Sequence, residues 1–132
     1  MTVTPGATPL FAGLGCRRGS SASALARLLR QTLQAHDLPV SALAGLASID
    51  LKRNEPGLLR LAADLDLPLI FFSAAQLAPF APRLSHHSAI AFRHSGCHGV
   101  AESSALALAE QAGGGIAQLR ITRIVQDDMT LA

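Results

Sequence analysis

The segment Gly13-Leu-Gly-Cys-Arg-Arg-Gly19 carries the densest chemistry in the chain. Gly15 and Gly19 let the backbone bend tightly and bring its N–H groups near a ligand. A helix opening just after the loop adds free N–H donors and a partial positive end. Arg17 and Arg18 add planar forks that match carboxylate or phosphate. These signals agree in sign and place, so the loop reads as an anion site; the alternative is an ordinary strand-to-helix turn with solvated arginines. Nucleotide motifs fit poorly. The Gly-x-Gly-x3-Gly spacing is one residue longer than the dinucleotide fingerprint, and no Gly-Lys-Ser/Thr of a P-loop follows. A helix start and two arginines would favour a Cys16 thiolate nucleophile. No base adjoins it in sequence, so a small, partly buried thiol is the better reading.

A second cluster is Ser48-Ile-Asp-Leu-Lys-Arg-Asn-Glu-Pro-Gly57, which sets Asp50, Lys52, Arg53 and Glu55 at one loop. Mixed charges there order a loop around a ligand or simply bind each other in a capped turn. A third, Gly96-Cys-His-Gly-Val-Ala-Glu-Ser-Ser104, puts Glu102 and Ser103 in a helix's first turn. Glu102 could complement the helix end or face a ligand. His94, Cys97 and His98 have ligand-like spacing, but a structural zinc site wants four ligands. No metal is expected. The sequence assigns no role to His86 or His87.

The elements that must hold these clusters follow from periodicity. Leu10 to Leu14 reads as a buried strand. Ser20 or Ser21 caps a helix with Leu25, Leu28, Leu29 and Leu33 at helical spacing, stopped before Pro39. Leu43 to Ile49 is a second strand. Asn54 or Glu55 caps a helix with Pro56 in its first turn. Pro68 to Ser73 is a third strand, and Ser73 caps a short helix to Leu77. Pro79 to Cys97 reads as a loop with a short strand at Ala89 to Phe92. A helix runs from Gly99 to about Ala112, ended by Gly113 to Gly115. Ile116 to Val125 alternates as a strand, and Met129 to Leu131 pairs back as a hairpin around Asp127-Asp128.

Strands alternating with helices predict an α/β fold: a single three-layer domain, a mostly parallel sheet with helices on both faces, and a C-terminal antiparallel hairpin. Residues 1–8 read as a flexible tail and 9–132 as one domain, since 132 residues fit one domain and hardly two. Ligands of such sheets bind beyond the carboxyl ends of the strands. The loops after Leu14 and Ile49 should therefore share one edge, and the largest polar-lined pocket should touch Arg17 or Arg18 with Lys52 or Glu102.

Composition narrows the partners. There is no Trp or Tyr and the net charge is +2 with no basic run, so nucleic acid is a poor expectation. The greasiest stretch, Pro68 to Pro82, falls short of the roughly 20 residues of a membrane helix. Two cysteines and no signal sequence suit a reduced, cytoplasmic protein.

Four segments together resemble one family, the CobE/CbiG C-terminal domain family of cobalamin-biosynthesis proteins. They are Gly13-Leu-Gly-Cys-Arg-Arg-Gly19, Ser48-Ile-Asp-Leu-Lys with Asn54-Glu-Pro-Gly-Leu-Leu59, Phe71-Phe-Ser73, and Gly99-Val-Ala-Glu-Ser-Ser-Ala105. They fall in the family's order and span Gly13 to the end. The resemblance implies a role in building the corrin ring, with a corrinoid or precorrin intermediate as ligand and other enzymes of that pathway as partners. It implies no cofactor. Family members with additional N-terminal regions open a lactone on a cobalt-containing precorrin and release acetaldehyde. The shorter, stand-alone branch that this chain looks like belongs to the aerobic route. Binding of a polycarboxylate intermediate through Gly15, Cys16, Arg17, Arg18, Gly19, Asp50, Lys52, Glu55, Glu102 and Ser103 is thus the leading expectation. A hydrolase acting on such an intermediate, with Cys16 attacking or with Asp50 or Glu102 as acid–base, is the alternative; the family motif does not settle which residues react.

Overall fold

The computed structural model describes residues 9–16, 19–85, 99–113, 115–126 and 129–132. Strand β1 (Leu10–Cys16) leads into helix α1 (Ala22–Ala35), β2 (Leu43–Ile49), α2 (Pro56–Leu65), β3 (Leu69–Phe72) and the short α3 (Ala74–Leu77). A 3-10 helix over Ala78–Arg83 follows, then α4 (Val100–Gly113), β4 (Ile124–Gln126) and β5 (Met129–Leu131). The strand order is β3-β2-β1-β5-β4. The first three strands are parallel. β5 runs antiparallel to both β1 and β4. The fold is therefore the expected three-layer α/β domain with a mostly parallel sheet and an antiparallel C-terminal hairpin.

Local sequence explains most of the element boundaries. The Ser21 hydroxyl accepts the Ala24 N–H at 3.1 Å and caps α1. Ser73 and Gln76 close a reciprocal capping box on α3. Pro56 occupies the first turn of α2, and Asp66 ends that helix in the left-handed conformation at φ 54°. Strand alternation sends Ala12, Leu14 and Cys16 into a core shared with Leu25, Leu28 and Leu29 of α1 and Leu58 and Leu61 of α2. Ala47, Ile49 and Phe72 face the other way, onto Leu77, Ala107 and Leu108.

Helix α4 lies almost on the sheet. A Cβ on Gly13 would sit 1.8 Å from the Ala101 carbonyl oxygen, so only glycine allows this approach. Residues 101–108 of α4 are all buried, which explains why its sequence is rich in small side chains. The Ser103 and Ser104 hydroxyls donate back to the carbonyls of Gly99 (2.8 Å) and Val100 (2.6 Å), so they are buried without loss of hydrogen bonds.

One strand differs from its sequence pattern. Of Ile116 to Val125, only the end joins the sheet, as β4 from Ile124. The period-two pattern survives as burial, with Ala117, Leu119 and Ile121 half-buried and their neighbours exposed. Among the described residues the β4–β5 ladder covers only Ile124–Gln126. The Ala89 to Phe92 strand and the Asp127-Asp128 turn lie outside the described residues.

Candidate functional site

The carboxyl ends of β1 and β2 are neighbours, with Gly13 opposite Ala47 in a parallel ladder. The two loops rich in chemistry therefore leave the same edge of the sheet. Ser48 strengthens this junction: its buried hydroxyl donates to the Leu14 carbonyl at 2.7 Å. Sequence reasoning missed that role, since nothing local tells a strand serine which neighbouring carbonyl it will meet.

The two loops are tied directly. Gly19 sits at φ +84°, a backbone state that suits glycine. Its N–H donates to Oε1 of Glu55 at 2.8 Å. Glu55 is the residue before α2 and makes no side-chain cap on its own helix; its carboxylate instead reaches the loop after β1. Below this bond, a Cβ on Gly57 would fall 2.1 Å from the Ser20 carbonyl oxygen. Helices α1 and α2 thus begin side by side. Between their first turns lies a hollow of about 290 Å3, lined by Gly19 to Ala22, Glu55 to Gly57 and Arg60.

Cys16 ends β1 opposite Met129 and is 8% exposed. Burial pushes its thiol up from the ordinary range, opposed by the nearby Lys52 ammonium, raised further by Glu55, and lowered by a hydrogen bond with Ser20. At neutral pH the group is a protonated thiol in the α1/α2 core. Asp50 and Lys52 share the single 3-10 turn after β2, and the Lys52 carbonyl accepts the Glu55 N–H at 3.0 Å. That turn is short and internally bonded, so it delivers Lys52 towards Cys16 and Glu55. Gly15 lies against Thr130 of β5, whose hydroxyl oxygen would stand 2.5 Å from an added Cβ.

Glu102 and Ser103 open α4 at the same edge, but both are fully buried. The Glu102 carboxylate accepts the Ser85 N–H (2.9 Å), the Ser85 hydroxyl and the Arg123 N–H (2.9 Å). It joins the end of the 3-10 helix, the start of α4 and the approach to β4. Ser85 and Arg123 gave no signal in sequence, because two of their three contributions are main-chain N–H groups and the third, the Ser85 hydroxyl, meets a partner 17 residues away.

Arg17 and Arg18 lie outside the described residues, as do His86, His87, His94, Cys97 and His98. Among the described residues no group of three or more His, Cys, Asp or Glu gathers to hold a metal. Among them, too, no helix is long and apolar enough to cross a membrane.

The polar-lined pocket expected at Arg17 or Arg18 rests on residues outside those described. At the opposite edge a cavity of about 640 Å3 lies between β1, α1, α4 and residues 115–121, and its lining is mostly apolar. At the motif edge the helix starts close over the strand ends through Gly13 and Gly57.

Residues 10–132 match the family described as cobalamin synthesis G C-terminus. The chain belongs to this family. Within the family of cobalamin-biosynthesis proteins it is 37% identical over 123 residues to protein CobE of a Sinorhizobium species, covering 93% of this chain and 77% of that one. The crystal structure at 1.7 Å of CobE, a protein from the cobalamin (vitamin B12) biosynthetic pathway, superposes with a TM-score of 0.91 at 46% identity. The match spans 98% of this chain and 91% of that one. A cobalt-precorrin-5A hydrolase of Salmonella typhimurium is 41% identical over 78 residues, which are 59% of this chain and 21% of that longer protein.

Proposed function

We propose that the chain binds a polycarboxylate corrinoid or precorrin intermediate of cobalamin biosynthesis at the motif edge of the sheet. The observation that carries this reading is the Gly19–Glu55 bond, which joins the Gly13 to Gly19 loop to the Asn54-Glu-Pro-Gly57 turn. Both are among the segments that carry the resemblance to the family.

Corrin precursors are large apolar macrocycles rimmed by acetate and propionate carboxylates. A hollow of about 290 Å3 cannot engulf such a ring. The ligand would lie across the edge and send one rim carboxylate towards the first turns of α1 and α2, where N–H groups converge. Lys52, Arg17 and Arg18 supply cationic partners for others. Asp50 and Glu55 order the loops, and Glu102 with Ser103 holds the start of α4 in place. Other enzymes of the pathway are the natural donors and acceptors of the ligand.

The test is a titration of the intact protein with a precorrin intermediate, followed by visible absorbance and by isothermal calorimetry. Saturable one-to-one binding that weakens with salt supports the reading; no binding at any salt concentration overturns it.

A second reading, hydrolysis of the intermediate, is favoured by the likeness to a cobalt-precorrin-5A hydrolase. Cys16 is a poor nucleophile for it, being buried with a raised thiol pKa. Any such activity would fall to water activated by Asp50. Product analysis after incubation separates the readings: ring-opened product requires turnover, and unchanged ligand means binding alone.

A further inference from the structure

We propose that Arg60 receives the ligand carboxylate that enters the hollow between α1 and α2, and that Asp64 is its resting counterion, released when that carboxylate arrives. The inference rests on the reading of the motif edge as a polycarboxylate site. It names the side chain that holds one arm of the ligand and the one that competes for it.

Helix geometry sets Arg60 in place. Pro56, Arg60 and Asp64 follow one another at four-residue spacing on α2, so they share one face. All three are exposed. Pro56 and Arg60 line the hollow opposite Gly19 to Ala22. A helical side chain leans towards the start of its own helix. Arg60 therefore leans towards Pro56 and the motif edge, and Asp64 leans towards Arg60 from behind.

The pairing leaves most of the guanidinium unused. Nε of Arg60 donates to Oδ1 of Asp64 at 3.0 Å. Among the described residues no acceptor meets Nη1 or Nη2 of Arg60. Those outer nitrogens carry most of the N–H donors of a guanidinium, in a planar fork that matches a carboxylate. The two side chains are 73% and 56% exposed, so water and salt screen the pair and its bond is weak. A ligand carboxylate can take the fork first and then draw the whole guanidinium away from Asp64.

The charges around the hollow give this role to Arg60. Among the lining residues Arg60 is the one cation and Glu55 the one anion. The Glu55 carboxylate is already committed to the Gly19 N–H. An incoming carboxylate meets repulsion from Glu55 and needs a cation beside it to offset that repulsion. Arg60 is the one the lining supplies. Asp64 sets how readily it is supplied, because every ligand carboxylate must displace Asp64 to gain the full guanidinium.

The test titrates the intact chain with cobyrinic acid, a corrin ring whose acetate and propionate arms are free carboxylates, followed by visible absorbance at low salt. Arg60→Gln should weaken binding roughly fivefold, the loss of one exposed charge-assisted contact. Asp64→Asn should tighten it roughly threefold, because Arg60 then has no counterion to release. That tightening should vanish in an Arg60→Gln background. Asp66→Asn removes a charge from the end of the same helix and should leave affinity unchanged. Each variant alters an exposed side chain, so the fold is retained. An Arg60–Asp64 pair that only stabilises α2 predicts no gain from Asp64→Asn. Equal binding by Arg60→Gln and wild type would overturn the inference and leave the reading of the edge in place. So would the same tightening by Asp64→Asn with and without Arg60. A wild type that does not bind cobyrinic acid would overturn the reading itself, and the inference with it.

Discussion

Gly19 donates its backbone N–H to Glu55 across 2.8 Å, although the two residues stand 36 positions apart. The bond fixes the distance between the loop after β1 and the start of α2, and so fixes the edge at which these two segments meet. Glu55 is 7% exposed, so its carboxylate needs this donor as much as the loop needs its acceptor.

Glu55→Ala should therefore lower stability by about 1.5–3 kcal/mol, the range for hydrogen bonds to charged groups. Glu55→Gln keeps an acceptor oxygen and should lose less than half as much. Urea unfolding of both variants checks this. An alanine variant within 0.5 kcal/mol of wild type would show that the bond does not hold the loops.

Three glycines separate close approach from mere flexibility. An added Cβ at Gly13 or Gly57 would meet rigid carbonyl oxygens at 1.8 and 2.1 Å, whereas Gly113 has nothing within 4 Å. Gly13→Ala and Gly57→Ala should each cost about 3 kcal/mol or more, at the upper end of overpacking effects. Gly113→Ala, at the end of α4, should raise stability by about 0.4–1 kcal/mol by restricting the unfolded chain. Thermal melts of the three variants would show opposite signs.

Much of this fold was legible because its signals are local. Ser21, Ser73 and Pro56 mark helix starts within one turn of themselves, and the alternation in Leu10 to Leu14 and Leu43 to Ile49 picks out strands without reference to any partner. The shared edge of the two motif loops followed from the alternation of strands and helices. What failed to show was decided at long range. Ile116 to Ile121 has a strand's alternation, but among the described residues the ladder covers only Ile124–Gln126, since pairing is a long-range matter. Glu102 reads as a helix-end complement or a ligand group, and its burial among the Ser85 N–H and hydroxyl and the Arg123 N–H depends on long-range partners that no local pattern announces. The 640 Å3 cleft lies where β1, α1, α4 and residues 115–121 meet, which no single segment encodes.

Cys16 supplies a pH test. Burial raises its thiol pKa, so the folded state holds the proton more tightly than the unfolded chain. The unfolded thiol ionises first, near its ordinary pKa of about 8.5. Stability from this group is complete below that pH and is lost as pH rises through the folded value. Wild type should thus lose stability between neutral pH and pH 10 more steeply than Cys16→Ala, in a Cys97→Ser background that removes the other thiol. Alkylation by iodoacetamide at pH 7.5 should also be slower than for a free thiol, since only thiolate reacts. Rapid alkylation of the folded protein would restore Cys16 as a candidate nucleophile.

The arginine pair decides whether the motif edge works as an anion site. Changing Arg17 and Arg18 together to Ala should leave the fold intact, because in sequence both fall between the end of β1 at Cys16 and the start of α1 at Ala22. Each charge-assisted contact to a rim carboxylate contributes about 1.5–3 kcal/mol. Losing two should raise the dissociation constant for a polycarboxylate corrinoid at least tenfold, since about 1.4 kcal/mol is one decade. Salt adds a second axis: exposed ionic contacts are screened, so rising ionic strength should weaken wild type more than the double variant. Glu55→Gln should also weaken binding if the Gly19 contact sets the loop's shape, but its salt response should stay that of wild type, because it removes no cation. A double-arginine variant that binds as tightly as wild type at low salt would place the ligand elsewhere, and the Gly13 to Gly19 loop would then be a structural turn held by Glu55 alone.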